Sequence, residues 1–281
     1  MQLYFKQILM EYEIKPQKGF SLNWRELIQY SELFYFFTLR DIKIKYKQAF
    51  LGFLWAILQP LFTMIIFSFF FGSLLNVPSD GIPYPIFAYS GLLMWNVFSS
   101  GLSNAGNSMV SNANIIKKIY FPRLIIPMSA ILVSVFDFLM SFVVYIGLLI
   151  YFQMDVNFLK MLLFLPASLL LTVVCTFGLG SFLAALNVKY RDFRYIIPFM
   201  IQSLMFLTPV IYPVSIIKYQ WAKYLIALNP MSGAVNLARA AIIDKPLQTD
   251  LILISIASAL FFFIVGLYYF RKTECYFADI A

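Results

Sequence analysis

Residues 124–154 read LIIPMSAILVSVFDFLMSFVVYIGLLIYFQM, an apolar run that contains one charged side chain, Asp137. A helix needs about 20 apolar residues to cross the ~30 Å hydrocarbon core of a bilayer, so this run is long enough to span a membrane. The rest of the chain has the same character, since 62% of its 281 residues are hydrophobic and only 12% are charged. Soluble domains contain about 25% charged residues. The sequence therefore predicts an all-α integral membrane protein.

Five further stretches with few or no charges can each hold one spanning helix. The complete set predicts six transmembrane helices, at residues 50–75, 86–110, 124–152, 161–187, 195–213 and 250–270. A shorter apolar stretch contains Asn229 and Pro230, and short apolar pieces broken by proline are typical of re-entrant helices. We therefore expect an extracytoplasmic re-entrant segment at 214–241, between spans 5 and 6, within a single transmembrane domain at 1–281.

The basic residues are distributed unevenly between the loops. If the N-terminus is cytoplasmic, 16 of the 21 Lys and Arg residues lie on the cytoplasmic side. Such an excess is typical of cytoplasmic loops, so the sequence predicts that both termini are cytoplasmic and that the number of spans is even. The net charge of +8 is divided among short loops. This distribution argues against nucleic-acid binding, which would need a basic face on a folded domain.

Three absences limit the chemistry of the chain. It has no His, only two Cys, and no G-x-x-x-x-G-K-[ST] loop. These absences exclude His-dependent catalysis, a Cys-rich zinc site and a Walker-type phosphate loop. We therefore expect no catalytic residue, no metal site and no cofactor in this chain. Any ATP and Mg²⁺ that it uses must be bound by a separate polypeptide.

Residues 21–47 predict a helix that lies along the cytoplasmic face. Asn23 and Glu26 have the spacing of a capping box, and apolar and aromatic residues follow them. The segment ends with four basic residues, Arg40, Lys43, Lys45 and Lys47. An apolar face with a basic end is typical of an amphipathic helix at anionic lipid headgroups. The alternative is an ordinary basic segment that flanks the first span.

Two short cytoplasmic loops combine basic and aromatic residues. The basic residues alone are explained by membrane orientation. Aromatic residues beside them are a combination enriched at protein–protein contacts, so we expect these loops to dock onto a cytoplasmic partner. The predicted docking residues are Lys117, Lys118, Tyr120, Phe121 and Arg123 in the first loop, and Tyr190, Arg191, Asp192 and Arg194 in the second.

Asp137 is the ionisable residue that lies well inside a predicted span, about 20 Å from the start of its helix. A proton relay would need further titratable groups at that depth, and no other span supplies one. We therefore expect a structural acid, hydrogen-bonded to Ser134, to Ser141 or to a neighbouring helix.

Five pieces of the sequence, taken in order, resemble the ABC-2-type polysaccharide export permeases, which include O-antigen and teichoic-acid exporters. Together they extend over nearly the whole chain. The pieces are LRDIKIKYK at 39–47 followed by Leu51, Gly52, Trp55, Gln59 and Pro60; KKIYFPR at 117–123; NVKYRDF at 187–193; TPVIYP at 208–213; and Asn229 with Pro230.

The resemblance implies a homodimer of six-span subunits with two copies of a cytoplasmic ABC ATPase, which binds ATP and Mg²⁺. It implies that the loop at 117–123 is the coupling helix and that the N-terminal helix also contacts the ATPase. The implied substrate is a lipid-linked polysaccharide, O-antigen-like, capsular or teichoic-acid-type, on a carrier such as undecaprenyl diphosphate. The resemblance also implies that this multi-pass chain lies in the bacterial cytoplasmic (inner) membrane, which the polysaccharide crosses.

A sugar path would explain the aromatic content of 19%, because flat apolar rings can slide along sugar rings. Amide side chains within spans tend to face a protein or water interior. The candidate path residues are Trp55 and Gln59 in span 1 and Phe199, Gln202, Phe206 and Tyr212 in and after span 5. The alternative is that most of these aromatic rings face lipid or form interfacial belts.

Two other functions stay open. An ABC-2 permease for a drug, a lipid or another small amphiphile would have the same fold. An integral-membrane enzyme acting on lipid-linked sugars would need acid–base or metal-binding residues near a membrane surface. Its candidate carboxylates, Asp80, Asp155, Asp244 and Asp250, are scattered over three loops, which argues against it.

Overall fold

The computed structural model describes residues 28–47, 51–243, 246–274 and 277. These ranges contain helices and no β-strand. The α-helices are α1 Ser31–Lys47, α2 Leu54–Phe67, α3 Tyr84–Ser111, α4 Ala113–Ile116, α5 Ile125–Tyr151, α6 Phe158–Lys189, α7 Phe193–Leu207, α8 Gln220–Ala227, α9 Pro230–Ala240 and α10 Thr249–Glu274. The predicted capping box at Asn23 and Glu26 lies outside the described residues.

Among the described residues, four helical segments are long and apolar enough to cross a membrane. They are α2 with the π-helix Ser68–Leu74 that continues it, α5, α6 and α10. By length and composition the chain is therefore a multi-pass membrane protein, as the sequence predicts.

The other two predicted spans differ from these four. α3 is 28 residues long but carries many Ser and Asn side chains. α7 has 15 residues, which corresponds to about 22 Å of helix and is shorter than the hydrocarbon core. It ends at Leu207 because Pro209 favours an extended conformation at the residue before it, and Thr208 has φ −94° and ψ 136°. The count of six spans stays a prediction.

α3 is the central helix of the molecule, because α2, α5, α6, α7 and α9 all pack against it. Its first half supplies large buried side chains, among them Phe87, Tyr89 and Phe98. α6 and α10 form a second close contact, in which a Cβ added at Gly266 would overlap the carbonyl oxygen of Gly178. Glycine at both positions lets the two backbones touch, as small residues do in membrane helix pairs.

The segment between α7 and α10 forms two short helices, α8 and α9, after a 3₁₀ turn at Val214–Ile216. The Asn229 side chain begins α9, because its oxygen accepts from Met231 N–H at 3.1 Å. Its amide nitrogen donates to the Thr208 hydroxyl at 2.8 Å, which ties α9 to the end of α7. α9 packs against α3, α6 and α10, so this segment is part of the bundle. Its insertion into a membrane stays a prediction.

Candidate functional site

The loop before α5 has an anchored part and an exposed part. Phe121 is 3% exposed, and its ring centroid lies 5.5 Å from that of Phe37 in α1. The backbone N–H and the guanidinium of Arg123 both donate to Glu274 at the end of α10. Residues 117–120 are all exposed. Two of the predicted docking residues, Phe121 and Arg123, therefore hold the loop in place while the residues before them face outward.

The second loop lies between α6 and α7 and is exposed as a whole. Asp192 precedes α7, but its carboxylate makes no capping hydrogen bond. Nearby, the Asn187 amide donates to Gly106 O at 2.9 Å and to Asn107 Oδ1 at 3.0 Å, which places the ends of α3 and α6 side by side. Both loops are thus at one end of the bundle. The predicted docking residues exposed here are Tyr190, Arg191, Asp192 and Arg194.

α1 lies at the same end, packed against α5. Its four predicted interface residues, Arg40, Lys43, Lys45 and Lys47, differ in the contacts that their side chains make. Lys43 and Lys47 are exposed, whereas Arg40 donates to Asn112 Oδ1 at 2.7 Å and pairs with Asp41 at 2.7 Å. Lys45 turns towards α5. Arg40 and Lys45 therefore form ion pairs with carboxylates of the protein, whereas Lys43 and Lys47 are exposed.

Asp137 accepts hydrogen bonds from the last turn of α1. Lys45 Nζ forms an ion pair with its carboxylate, and the Tyr46 hydroxyl donates to it. Burial raises the pKa of the Tyr46 hydroxyl, and the bond to Asp137 raises it further, so the phenol stays protonated and remains a donor. Of the partners expected from the sequence, a neighbouring helix is the one found, since the Ser141 hydroxyl donates instead to Ala56 O at 2.8 Å.

A polar groove runs along the second half of α3. Its α3 residues fall on one helical face because each of them lies three or four positions from another member of the set. They are Asn96, Ser100, Ser103, Asn104, Asn107 and Ser111. We use the name polar groove for this stripe together with the two cavities along it.

The two cavities of the polar groove have volumes of about 300 Å³ and about 710 Å³. The first lies between α2, α3 and α5, and its walls include Trp55, Gln59 and Asp137. The second lies between α1, α3 and α5, and Arg40 and Asp41 line it. Lys45 lines both cavities, so they adjoin. Volumes in this range are typical of small-molecule sites.

The distribution of charged residues does not reveal the stripe on α3, because Ser and Asn carry no charge. The signal was nevertheless present, as amides and hydroxyls recur with helical spacing through an otherwise apolar stretch. Polar residues inside a spanning segment usually face a protein interior or a water-filled cavity.

The six candidate path residues fall into two groups. Trp55 and Gln59 line the first cavity of the polar groove. Phe199, Gln202 and Phe206 are exposed on α7, with Phe199 71% exposed. Tyr212 is half-buried after α7, and its hydroxyl donates to Phe206 O at 3.2 Å. α2 packs against α3 and α5, whereas α7 packs against α3 and α6, so the structure does not pack the two groups together within one chain.

No group of three or more His, Cys, Asp or Glu residues suited to a metal ion occurs among the described residues. What these residues do form is an apolar helical bundle, a basic and aromatic face at one end, and a polar groove that leads from that end into the bundle. These features define a membrane protein of the transporter class.

The chain belongs to the ABC-2 type transporter family, whose family model matches residues 32–243. The match begins in α1 and ends after α9, so it contains both exposed loops and the polar groove. An ABC-2 transporter is a membrane component of an ABC transporter and is not itself an enzyme.

Named relatives cover most of the chain. It is 31% identical over 245 residues to an O-antigen export system permease protein RfbA of Klebsiella pneumoniae. This alignment covers 86% of this chain and 92% of the relative. It is 32% identical over 211 residues to a protein of the same name from Myxococcus xanthus, covering 74% of this chain and 78% of the relative. The polysialic acid transport protein KpsM of Escherichia coli is 27% identical over 212 residues, with 73% and 78% covered.

Proposed function

We propose that this chain is the membrane-spanning permease subunit of an ATP-driven ABC exporter that moves lipid-linked polysaccharide across the bacterial inner membrane. The observation that carries the proposal is the similarity to an O-antigen export permease over 92% of that relative's length. The polar groove adds to it, because hydroxyl, amide and aromatic side chains are the groups that hydrogen-bond and stack with sugars.

ATP hydrolysis takes place on a separate ABC ATPase, two copies of which bind ATP and Mg²⁺. Two exposed loops at the α1 end of the bundle support this arrangement, since they present basic and aromatic side chains on a frame fixed by Phe121 and Arg123. Rigid anchoring beneath an exposed loop suits a contact that must transmit movement. The docking residues are Lys117, Lys118 and Tyr120 with Tyr190, Arg191, Asp192 and Arg194.

The permease works as a homodimer. Large apolar side chains are exposed along α2 and its π-helix, and another set is exposed on α7. Lipid or a second subunit can cover such faces. A second copy would also explain how the α2 and α7 groups of path residues come to line one conduit, because one chain leaves them apart. The exposed rings of these two faces include Phe62, Phe69, Phe199 and Phe206.

The chain crosses the membrane six times, with both termini in the cytoplasm. α3 counts as a span because its 28 residues give about 42 Å of helix and its polar stripe faces the groove. α7 crosses together with the turn that follows it at 208–212. α8 and α9 form the re-entrant segment on the outer side, where the ties from α9 to Thr208 and α3 hold them against the bundle.

The second candidate function is export of a lipid or another small amphiphile. An apolar cavity of about 590 Å³ between α5 and α6 favours it. Apolar side chains such as Phe142, Leu149 and Leu165 line this cavity, which suits an acyl chain better than a sugar.

Both candidates can be separated in a bacterial strain that lacks its own O-antigen export permease. The chain would be expressed there with its ATPase, and the surface polymer would be measured with a polymer-specific antibody. Restored surface polymer supports polysaccharide export. Increased resistance to amphiphilic drugs without surface polymer would support the second candidate instead.

A further inference from the structure

The polar groove contains hydrogen-bonding groups that the protein itself does not use. The side-chain amides of Asn96 and Asn104 are half-buried and have no hydrogen-bond partner within the described ranges. The Ser134 side chain is 0% exposed, lines the first cavity, and its hydroxyl has no partner in the same ranges. Buried polar groups of native proteins nearly always have partners, so the unpartnered Ser134 hydroxyl is available to a bound molecule. The half-buried amides of Asn96 and Asn104 line the same groove and can bond to the same molecule.

The charges of the polar groove cancel in pairs. Arg40 is paired with Asp41, and Lys45 is paired with Asp137. Each pair is local to the groove, and among the residues that the structure describes no other Lys, Arg, Asp or Glu lines either cavity. An anion bound there would have to displace a carboxylate from its cation and would face the negative charge that it displaced. The groove therefore presents many hydrogen-bonding groups and no net charge.

The shape of the groove also bears on its ligand. From Asn96 to Ser111 the stripe extends over about 22 Å of helix, so it can contact several successive units of a chain. Trp55 supplies a flat aromatic surface beside the amides in the first cavity. Aromatic faces together with neutral donors and acceptors match the apolar faces and hydroxyl groups of sugar rings.

We propose that the polar groove binds uncharged sugar units of the exported polymer and discriminates against anionic sugars and against the diphosphate of a lipid carrier. This inference rests on the proposed function and adds the substrate class. It separates this chain from the relative named for polysialic acid, whose named substrate is a polyanion.

The binding test uses the full chain, together with its ATPase, in nanodiscs. Three probes would be compared by calorimetry or thermophoresis: a neutral gluco-oligosaccharide of seven units, oligosialic acid of the same length, and inorganic pyrophosphate. We expect the neutral probe to bind at least tenfold more tightly than either anion. Equal or tighter binding of oligosialic acid or pyrophosphate would overturn the proposal.

Asn104→Leu tests the place of binding. It removes an unused amide from the groove, and we expect it to weaken binding of the neutral probe about tenfold, the effect of one or two lost hydrogen bonds. The matched control is Asn236→Leu, which changes a half-buried asparagine on α9 outside the groove. If both variants bind like the unaltered chain, or both lose affinity equally, the groove is not the site.

Asp41→Asn tests the charge argument by a gain of binding. It leaves Arg40 without its carboxylate, so we expect pyrophosphate affinity to rise several-fold, whereas the exposed control Asp155→Asn leaves it unchanged. No gain in Asp41→Asn would contradict the pairing argument. Surface polymer in the complementation strain is scored separately, so export without neutral-sugar selectivity refutes this inference alone, and loss of export refutes the proposed function.

Discussion

Replacing Arg239 by methionine removes the side chain that fastens α9 to the end of α7 and to α3. Arg239 is 4% exposed, and its guanidinium donates to the carbonyl oxygens of Pro209 and Val210, both at 2.6 Å. It also donates to Phe87 O at 3.3 Å and lies 3.5 Å from the centroid of the Phe87 ring. Methionine keeps much of the length and apolar volume but has no donor.

The size of the effect follows from these bonds. A hydrogen bond to a charged group contributes about 1.5–3 kcal/mol, so the two short bonds give about 3–6 kcal/mol. Part of this is offset, because methionine avoids the burial of a charge, which leaves about 2–4 kcal/mol. With about 2–4 °C per kcal/mol for chains of this size, the midpoint of thermal unfolding falls by roughly 5–15 °C.

Arg239→Lys is the graded control, because an ammonium is a compact charge that cannot reproduce the planar guanidinium fork. We expect its midpoint to lie between those of the methionine variant and the unaltered chain. Gly91→Ala probes the same contact from α3, since a Cβ there would lie 3.0 Å from Arg239 Nη2 and 3.2 Å from Val210 O. The assay is tryptophan fluorescence during thermal unfolding in nanodiscs. A methionine variant that melts within 2 °C of the unaltered chain would refute this role for Arg239.

Three further predictions concern the docking face and the bundle. Tyr120→Ala is expected to abolish polymer export, whereas ATP hydrolysis by the assembled complex continues and the midpoint of thermal unfolding stays unchanged. Normal export by this variant would show that the loop does not dock onto the ATPase. Phe121→Ala is expected to lower the midpoint, because truncating a buried phenylalanine costs about 3–5 kcal/mol, and an unchanged midpoint would contradict its anchoring role. Gly266→Val is expected to separate α6 from α10 and to reduce the yield of folded protein on size-exclusion chromatography. Gly147→Val, at a glycine with open space around it, is expected to leave the yield unchanged. Equal yields of the two variants would contradict the close contact.

The helices could be located from the sequence because membrane spans and loops differ so strongly in polarity. Stretches with few or no charges cover most of α2, α3, α5, α6, α7 and α10, and the Asn229-Pro230 step begins α9. The sequence also contains the signal that ends α7, since Pro209 biases Thr208 away from the helical conformation. Hydropathy does not mark this end, because the apolar run continues to residue 213.

The functional contacts were harder to predict because they join distant parts of the chain. Asp137 meets Lys45, a residue 92 positions earlier, and spacing alone cannot show which helix packs beside it. Arg239 lies in the segment predicted to be extracytoplasmic, 214–241, and its side chain is buried there with hydrogen bonds to three backbone carbonyls. Residue type identified the aromatic and basic loops, and only packing separated their anchors from their exposed residues.

The most direct measurement of the central claim is export by the purified proteins. The chain, its ABC ATPase and a lipid-linked polysaccharide would be reconstituted in proteoliposomes with the ATPase facing outward. Polymer that becomes protected from an added glycosidase would then be measured. The account predicts that protection requires ATP and both proteins, and that the chain alone hydrolyses no nucleotide. Protection without the ATPase, or none with the complete system, would contradict it.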